Sequence, residues 1–253
     1  MNERKTFPLA GPSCLIPGTV AENCLFLQHE VREIGLALFE TESCIAYSSR
    51  DLTGDIAFLG LSYHAHLPLD LPWGNGAGFV FERVSRLLDK VAYLEPERFV
   101  LHPPERPGDL EEFASLWVGA GFNPRSLLVE NIRGHDLAAH WRSILDLDLG
   151  VCLDLGHILA YSQEGLLQAK SLWDRVGLVH VYGIEVNGAH LGLEHLDREG
   201  ERVVDLLLGN IPEGTVLLLE LFSWEEFADS RDILSKLLLK RGMDLDYPDF
   251  GRE

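Results

Sequence analysis

Positive charge is scarce in this sequence. Its 253 residues include 21 lysines and arginines against 40 aspartates and glutamates, which gives a formal net charge of −19 at pH 7. A protein that binds duplex nucleic acid normally presents a Lys/Arg surface, because contacts to phosphate dominate its affinity. This chain repels polyanions at long range unless bound metals or a small local patch reverse the sign. We therefore expect no nucleic-acid partner.

Cysteines and long apolar runs are also few. The four cysteines have no CxxC spacing, so we interpret Cys14, Cys24, Cys44 and Cys152 as reduced structural residues. No apolar run approaches the roughly 20 residues that a membrane span needs. The start, MNERKTFPLAG, has early charges but no apolar stretch typical of a signal peptide. We expect a cytoplasmic protein with no membrane partner.

Apolar strand-like runs alternate with amphipathic helix-like runs along the whole chain. The predicted strands cover residues 7–13, 33–40, 61–67, 98–102, 126–131, 150–154, 176–183 and 215–222. Helices are predicted from about residue 17, and over 78–94, 109–121 (with an Asp109 cap), 135–146, 163–175, 198–209 and 223–239, with a weaker one over 48–60. The strand runs are continuously apolar, which is typical of strands buried on both faces. Eight such units predict a single-domain α/β fold, a closed (β/α)8 TIM barrel over about residues 6–240, followed by a tail or lid strap at 241–253.

The carboxyl ends of the predicted strands carry acids and imidazoles. Seven of the eight strands finish in such a residue: Glu40, His66, His102, Glu130, Asp154, His180 and Glu220. His157 follows Asp154 by one helical turn, and His195, or alternatively His190, lies in the loop after the seventh strand. A closed barrel makes these ends converge, and buried without a cation they would carry severe desolvation and like-charge costs. The pattern therefore predicts a metal centre.

The ligand types narrow the choice of metal. A His/Asp/Glu set without thiolates suits Zn²⁺ or Mn²⁺ best, with Fe²⁺ or Co²⁺ also compatible, and we expect one to three ions. Glu130, near the middle of the set, is the natural carboxylate to bridge two metals. In CLDLGH, Gly156 is expected to let the backbone turn sharply so that Asp154 and His157 face one pocket. His64 should point to the same side one layer deeper, and we interpret His29, His135 and His140 as surface residues.

Several stretches resemble a known group of barrels: SCLIPGTVAENCLFL, LALFE, HAHLPLDL, LHPP, VENI, CLDLGHILAY and LELFS. In this order they resemble the xylose-isomerase-like TIM barrels of the AP-endonuclease family 2 group, and within it the cobamide-remodelling phosphodiesterases. The resemblance implies a metal-dependent hydrolase that cuts the phosphoribosyl linkage in the nucleotide loop of a cobamide, a small corrinoid. The ligands it implies are His66, His102, Glu130, Asp154, His157, His180, His195 and Glu220. Two positions depart from the family pattern: Tyr182 stands where a second histidine is expected, and Glu194 precedes the later one.

The proposed roles follow from this chemistry. Glu130 and Glu220 are the expected catalytic residues, which hold the metals and orient the water. Contacts to substrate are expected from Glu40, Trp73, Glu105 and Tyr182, with the glycine-rich loop 66–79 folding over a flat ligand. Three alternatives remain open. They are a sugar isomerase or epimerase with one metal and a Glu130/Glu220 pair that shuttles a proton, an abasic-site endonuclease that the net charge disfavours, and a non-catalytic corrinoid carrier.

Overall fold

Eight parallel strands close into a barrel in the computed structural model, which describes residues 4–248. The barrel strands are β1 (Thr6–Pro12), β2 (Glu33–Ala37), β3 (Ser62–His66), β4 (Phe99–Leu101), β5 (Leu127–Glu130), β6 (Gly150–Asp154), β7 (Val176–Val181) and, after the hairpin β8 (Ile184–Val186) and β9 (Ala189–Leu191), β10 (Val216–Leu219). Each strand pairs with the next in parallel register, and β10 pairs with β1 to close the barrel. The predicted (β/α)8 fold is confirmed.

Eight α-helices surround the barrel in the described part of the chain. They are α1 (Val20–Leu27), α2 (Thr41–Ile45), α3 (Ala77–Val91), α4 (Pro107–Gly119), α5 (Trp141–Asp146), α6 (Leu155–Ala160), α7 (Arg198–Asn210) and α8 (Trp224–Leu239). The helix predicted over 163–175 is wrong: α6 begins earlier, and short 3-10 turns follow it. Ser162 and Ser171 adopt left-handed backbone angles (φ 55° and 64°), which interrupt a continuous helix there.

Local signals account for several helix starts. Thr19 and Glu22 form a reciprocal capping box at α1, and the carboxylate of Asp197 accepts from the backbone N–H of Gly200 at α7. The cap predicted at Asp109 is wrong, because α4 begins at Pro107 and Asp109 lies in its first turn. The weaker helix predicted over 48–60 is a 3-10 turn at 54–58. The connection from β2 to β3 instead contains the short helix α2, which precedes this region.

The barrel interior is filled in layers. A small apolar cluster lies inside the strands: Ala10, Val100, Leu128, Cys152, Leu178, Val216 and Leu218. His64 points into the same interior, where its Nδ1 lies 2.6 Å from Oε1 of Glu33, and Arg98 donates to both oxygens of Glu33 at 3.2 Å. His64 thus lies one layer below His66, as predicted, and belongs to an ion network instead of to the site above it. Burial lowers the pKa of His64, so the imidazole is neutral and donates to Glu33.

The two ends of the barrel are finished differently. Strand β11 (Asp244–Asp246) pairs with β1 at Thr6–Pro8, the amino end of that strand. The segment predicted as a possible lid strap therefore packs at the end of the barrel opposite the strand carboxyl termini, over its described residues 241–248. The β8/β9 hairpin, by contrast, follows directly from the carboxyl end of β7. None of the described helices is long and apolar enough to cross a membrane.

All four cysteines are free thiols. Cys24, Cys44 and Cys152 are buried, and burial raises the pKa of both Cys24 and Cys152 to about 12. A thiol with so high a pKa carries almost no thiolate at neutral pH and is a poor nucleophile and metal ligand. Cys24 and Cys152 thus fit the structural role expected from the sequence, whereas Cys14 is exposed.

Candidate metal centre

Acids and imidazoles from most of the barrel strands meet at the carboxyl end of the barrel. Three groups of these side chains have ligand atoms that all lie within 4.8 Å of one another. Their members are His66, Glu130 and His180; Glu130, Asp154, His180 and Glu220; and His157, Glu185 and His190. Because Glu130 and His180 belong to two of the groups, the first two are contiguous. The convergence predicted from the strand ends is thus present.

The first group is centred on Glu130, whose carboxylate is buried at the end of β5. Its Oε2 atom lies 3.1 Å from Nε2 of His66 and 3.2 Å from Nε2 of His102. Its Oε1 atom lies 3.0 Å from Nδ1 of His180. Glu130 thus directs one oxygen toward His66 and His102 and the other toward His180.

The second group is likewise buried. Nδ1 of His180 lies 3.3 Å from Oε2 of Glu220 and 3.7 Å from Oδ2 of Asp154, besides its contact with Glu130. Oδ2 of Asp154 is buried and has no hydrogen-bond partner among the described residues. The atoms nearest to it are imidazole nitrogens, with Nδ1 of His157 at 3.3 Å. A buried carboxylate oxygen that lies beside imidazoles but accepts no hydrogen bond has a lone pair free for a cation.

The third group includes two residues of the hairpin. His157, in α6, has its Nε2 3.3 Å from Oε2 of Glu185, and the hydroxyl of Tyr161 donates to Oε1 of Glu185 at 2.6 Å. His190 completes the group from β9. This group is only partly buried, whereas the first two are buried throughout.

Three of the histidines are oriented in the same way. Nδ1–H of His66 donates to the carbonyl of Leu67 at 2.9 Å, that of His157 to the carbonyl of Asn131 at 2.9 Å, and that of His190 to the carbonyl of Glu220 at 2.8 Å. A carbonyl can only accept, so each bond places the proton on Nδ1 and leaves a lone pair on Nε2. Metal-binding histidines are typically fixed by such a bond from their other ring nitrogen. The residues present therefore fit a metal centre.

The charges of the centre depend strongly on one another. Burial disfavours ionisation of Glu130, but the charges of His180 and His102 outweigh it and hold the pKa of Glu130 well below its usual value. Glu220 likewise has its pKa lowered to about 2, because His180 outweighs the cost of burial. Burial raises the pKa of Asp154. Although burial alone would lower it, the pKa of His180 is raised well above its usual value by the carboxylates of Glu220 and Glu130. These carboxylates are thus stabilised by a positive charge among them, which protonated His180 supplies in the metal-free protein and a bound cation could supply in its place.

A buried amide network holds the ends of β5 and β6 together. The side chain of Asn131 accepts from the backbone N–H of Asp154 at 2.8 Å and donates to its carbonyl at 3.1 Å. It also donates to Oε1 of Gln163 at 3.0 Å, and Gln163 in turn donates to the carbonyl of Ile132 at 2.8 Å. These bonds fix the register at which Asp154 and His157 enter the site. Sequence reasoning missed both amides, since a lone Asn or Gln in a loop gives no specific signal.

Close packing against Tyr182, and not a turn of the backbone, explains why position 156 is a glycine. The tyrosine is fully buried, and its ring stacks on His190 with centroids 3.8 Å apart and planes 5° apart. A Cβ at position 156 would overlap the ring, at 2.6 Å from Cδ2 and closer still to Cε2 and Cζ. The backbone of Gly156 is helical, so the prediction of a special turn is wrong and close packing is the reason for glycine. Burial raises the pKa of Tyr182, and Asp154 adds to the rise.

Of the two loop histidines considered, the structure brings His190 into the candidate centre. His195, the expected one, has a half-exposed side chain whose Nε2 lies 3.7 Å from Glu194, and it is in none of the three groups. Glu185 was not predicted at all. The sequence signal that could have located Glu185 and His190 is the Asn-Gly pair in VNGA, which is typical of a tight hairpin turn. In the structure Asn187 and Gly188 have φ of 53° and 81°, the conformation that such a turn requires.

None of the four predicted substrate contacts lines the cavity above the centre. Glu40 is exposed, follows β2 after its end, and accepts from the hydroxyl of Ser43 at 2.9 Å. Glu105 is exposed, and Trp73 packs edge-on against Phe113 at 5.6 Å. Tyr182 is too deeply buried to contact a ligand in the cavity.

The remaining histidines also have clear places. His29 is exposed and His135 half-buried, whereas His140 is fully buried, so the surface assignment of His140 is wrong. Burial lowers the pKa of His140. His140 immediately precedes α5, which begins at Trp141. The predicted helix over 135–146 began too early and therefore put His140 on an outward-facing helix surface.

A cavity of about 470 Å³ opens above the three groups. Besides members of those groups and His102, the residues that line it are Phe39, Leu69, Ile132, Arg133, Tyr161, Gly188 and Phe222. The fold and site together define a (β/α)8 barrel with an acid and imidazole cluster beneath an open cavity.

Comparison with known proteins supports the fold. No family model and no curated protein matched the sequence. Among solved structures, the chain is similar to a D-tagatose 3-epimerase-like protein, with 16% identity, 92% of this chain and 98% of that chain covered, and a TM-score of 0.66. It is similar to a 3-keto-D-glucoside 4-epimerase from E. coli, with 14% identity, 93% of this chain and 99% of that chain covered, and a TM-score of 0.62. It is also similar to a probable 3-DHS dehydratase involved in petrobactin synthesis from Bacillus anthracis, with 10% identity, 89% of this chain and 98% of that chain covered, and a TM-score of 0.68. The identities are low, so these matches establish a shared fold and no more.

Proposed function

We propose that the protein is a metal-dependent phosphodiester hydrolase and that its substrate is a cobamide, cut in the nucleotide loop to give a cobinamide phosphate and the lower-ligand nucleoside. The observation that carries the proposal is the presence of three adjacent ligand groups, two of which share Glu130 and His180. Proton transfer between sugar carbons needs one metal and a pair of carboxylates. Three groups exceed that need and suit a reaction in which negative charge develops on several oxygens at once.

The bound metals would supply a water of lowered pKa and neutralise charge on the phosphate oxygens. His66 and Glu130 of the first group, joined by the neighbouring His102, would hold one ion. Glu130, Asp154, His180 and Glu220 would hold a second, to which His180 is assigned because Nδ1 of a histidine binds one ion only, and His157, Glu185 and His190 would hold a third. We expect Zn²⁺ or Mn²⁺. Glu130 and Glu220 would be ionised beside bound metal ions, because a nearby positive charge stabilises a carboxylate. They can therefore accept a hydrogen bond from the attacking water and orient it.

The rest of the cavity also favours a phosphodiester over a free sugar. Among the described lining residues outside the ligand groups and His102, only Arg133 and Tyr161 carry polar side chains. A sugar presents many hydroxyl groups, and each one buried without a partner costs free energy. An anionic diester needs few such partners, because the metals and Arg133 satisfy its charge. The same lining gives a large corrinoid apolar surface to contact.

A sugar epimerase is the second candidate, and the comparisons favour it. Two of the similar solved structures are named as epimerases of sugars or sugar derivatives. In that reading, the second ligand group alone would hold one ion, and Glu130 and Glu220 would move a proton between neighbouring carbons. The two proposals differ in the number of ions and in the product.

The experiment is to load the protein with Zn²⁺ or Mn²⁺, count the ions per chain by mass spectrometry, and incubate it with a cobamide and, separately, with ketohexoses. We expect more than one ion, a cobinamide phosphate as product, and loss of turnover in Glu130→Gln. Glu105→Gln, at an exposed position outside the cavity, is the matched control. One ion per chain together with epimerised sugar would replace the hydrolase by the second candidate. Survival of cobamide cleavage within a few fold in Glu130→Gln would refute the assignment of the site.

A further inference from the structure

One side of the cavity is apolar. Phe39, Leu69 and Phe222 follow β2, β3 and β10, which with β1 form one continuous arc of the barrel. The rings of Phe39 and Phe222 meet edge to face, with centroids 6.2 Å apart. Leu69 is 51% exposed and Phe222 44% exposed, so both offer apolar surface to whatever enters. We call these three residues the apolar wall.

The apolar wall touches the ligand groups. The ring of Phe39 packs edge-on against His66 at 5.3 Å, and that of Phe222 lies 5.5 Å from His190. Both histidines present Nε2 as a lone pair, because their Nδ1 atoms donate to backbone carbonyls. A ring bound on the apolar wall would therefore place its nearest substituent beside His66 and His190, where the metal ions are proposed to bind.

The opposite side of the cavity is polar. Arg133 and Tyr161 follow β5 and β6, which lie across the barrel from β1 and β2. The guanidinium of Arg133 lies 5.9 Å above the ring of Tyr161, an arrangement that keeps the cation at the cavity. The cavity thus has a cationic side, a floor of ligand groups and an apolar side.

We propose that the apolar wall is a specificity subsite that binds a flat aromatic ring carried by one ester group of the substrate. The inference rests on the proposed hydrolysis, because that reaction puts the phosphate at the ligand groups. With the phosphate there, one ester group extends along the wall and the charged oxygens are turned toward Arg133. Aromatic rings stack well on exposed phenylalanine without any match of hydrogen bonds, which explains why this side has no polar side chain.

The test compares two phosphate monoesters that differ only in the ring. Phenyl phosphate and methyl phosphate are titrated into the metal-loaded protein by calorimetry. We expect phenyl phosphate to bind about tenfold more tightly or better, as stacking on one aromatic side chain provides. Phe222→Ala should abolish most of this preference while leaving the affinity for methyl phosphate unchanged. Phe58→Ala is the matched control, because Phe58 is 88% exposed and does not line the cavity.

The outcomes are distinct from those that test the reaction. Equal affinity for the two esters in the parent protein would overturn the subsite. So would a Phe222→Ala variant that loses both esters equally, because Phe222 would then act by supporting His190. Cleavage of bis(4-nitrophenyl) phosphate is measured beside the titrations. If the diester is cleaved without any preference for the phenyl ester, only the subsite is refuted. If the preference holds but no diester or cobamide is cleaved, the hydrolase is refuted, and the wall remains a site for aromatic phosphate esters.

Discussion

Replacement of Gly156 by alanine tests the packing around the third ligand group. The new methyl would lie 2.6 Å from Cδ2 of Tyr182 and closer to two other ring atoms, so the ring must move. Tyr182 is fully buried and stacked on His190, and it cannot move without displacing that ligand. Overpacking of this kind costs about 1–3 kcal/mol. We therefore expect Gly156→Ala to lower the free energy of unfolding by about that amount.

The assay is urea unfolding of the metal-free protein, followed by a count of bound ions after reloading. We expect the variant to lose stability and to bind one ion fewer, because the stacked His190 belongs to the least buried group. Gly209→Ala is the matched control. Gly209 is also helical, and a methyl there meets no atom of the described residues within 4 Å. It should be neutral or stabilising by up to ~1 kcal/mol, as an alanine in an exposed helix usually is.

A double-mutant cycle decides whether Tyr182 is the cause. In the background of Tyr182→Ala, the methyl at position 156 has room, so most of its cost should disappear. The coupling between the two changes should then be about 1–3 kcal/mol, as for residues in direct contact. If Gly156→Ala unfolds within about 0.5 kcal/mol of the parent and keeps its metal content, the reasoning is refuted.

Three further results are expected. His190→Ala should lose one bound ion per chain by mass spectrometry, whereas His195→Ala should keep the full complement; equal losses would contradict the placement of the loop ligand. Chelation of the metals should lower the free energy of unfolding by about 2.7 kcal/mol for each ion removed, relative to protein held at a hundredfold excess over Kd, and unchanged urea curves would argue against a metal centre. The pKa of His64 is lowered from 6.5 by burial, so the unfolded chain takes up a proton before the folded one. Stability should therefore be lost as pH falls below about 6.5, more steeply than in His64→Gln, and parallel pH profiles would contradict this.

The barrel could be predicted because its signals are repeated. Eight apolar runs in a row specify strands buried on both faces, and errors of a few residues at their ends do not change the topology. The helices were less predictable, since their ends depend on single residues. Ser162 and Ser171 adopt left-handed angles that sequence alone does not reveal, and they turn an expected helix into two short turns.

The site divides in the same way. Ligands at strand ends, such as Glu130 and Asp154, were predictable, because the topology of a barrel fixes where a strand ends. The positions of Glu185 and His190 depend on a hairpin inserted after β7, and the Asn-Gly turn is its one clear sequence signal. Tyr182 was misassigned to the substrate for a different reason. Its position after the seventh strand is right for the site, but its side chain packs inward on Gly156, which only the three-dimensional structure reveals.

The sign of the charge at the centre depends on how many ions it holds. Four carboxylates, those of Glu130, Asp154, Glu185 and Glu220, belong to the three groups. Two divalent ions balance them, and a third makes the centre cationic even though the chain as a whole carries a charge of −19. A phosphodiester would thus be attracted at short range by the filled centre, while an extended polyanion would still be repelled by the remaining surface. We therefore predict that metal content sets the affinity for small phosphate esters and that the net charge of the chain disfavours binding of nucleic acid.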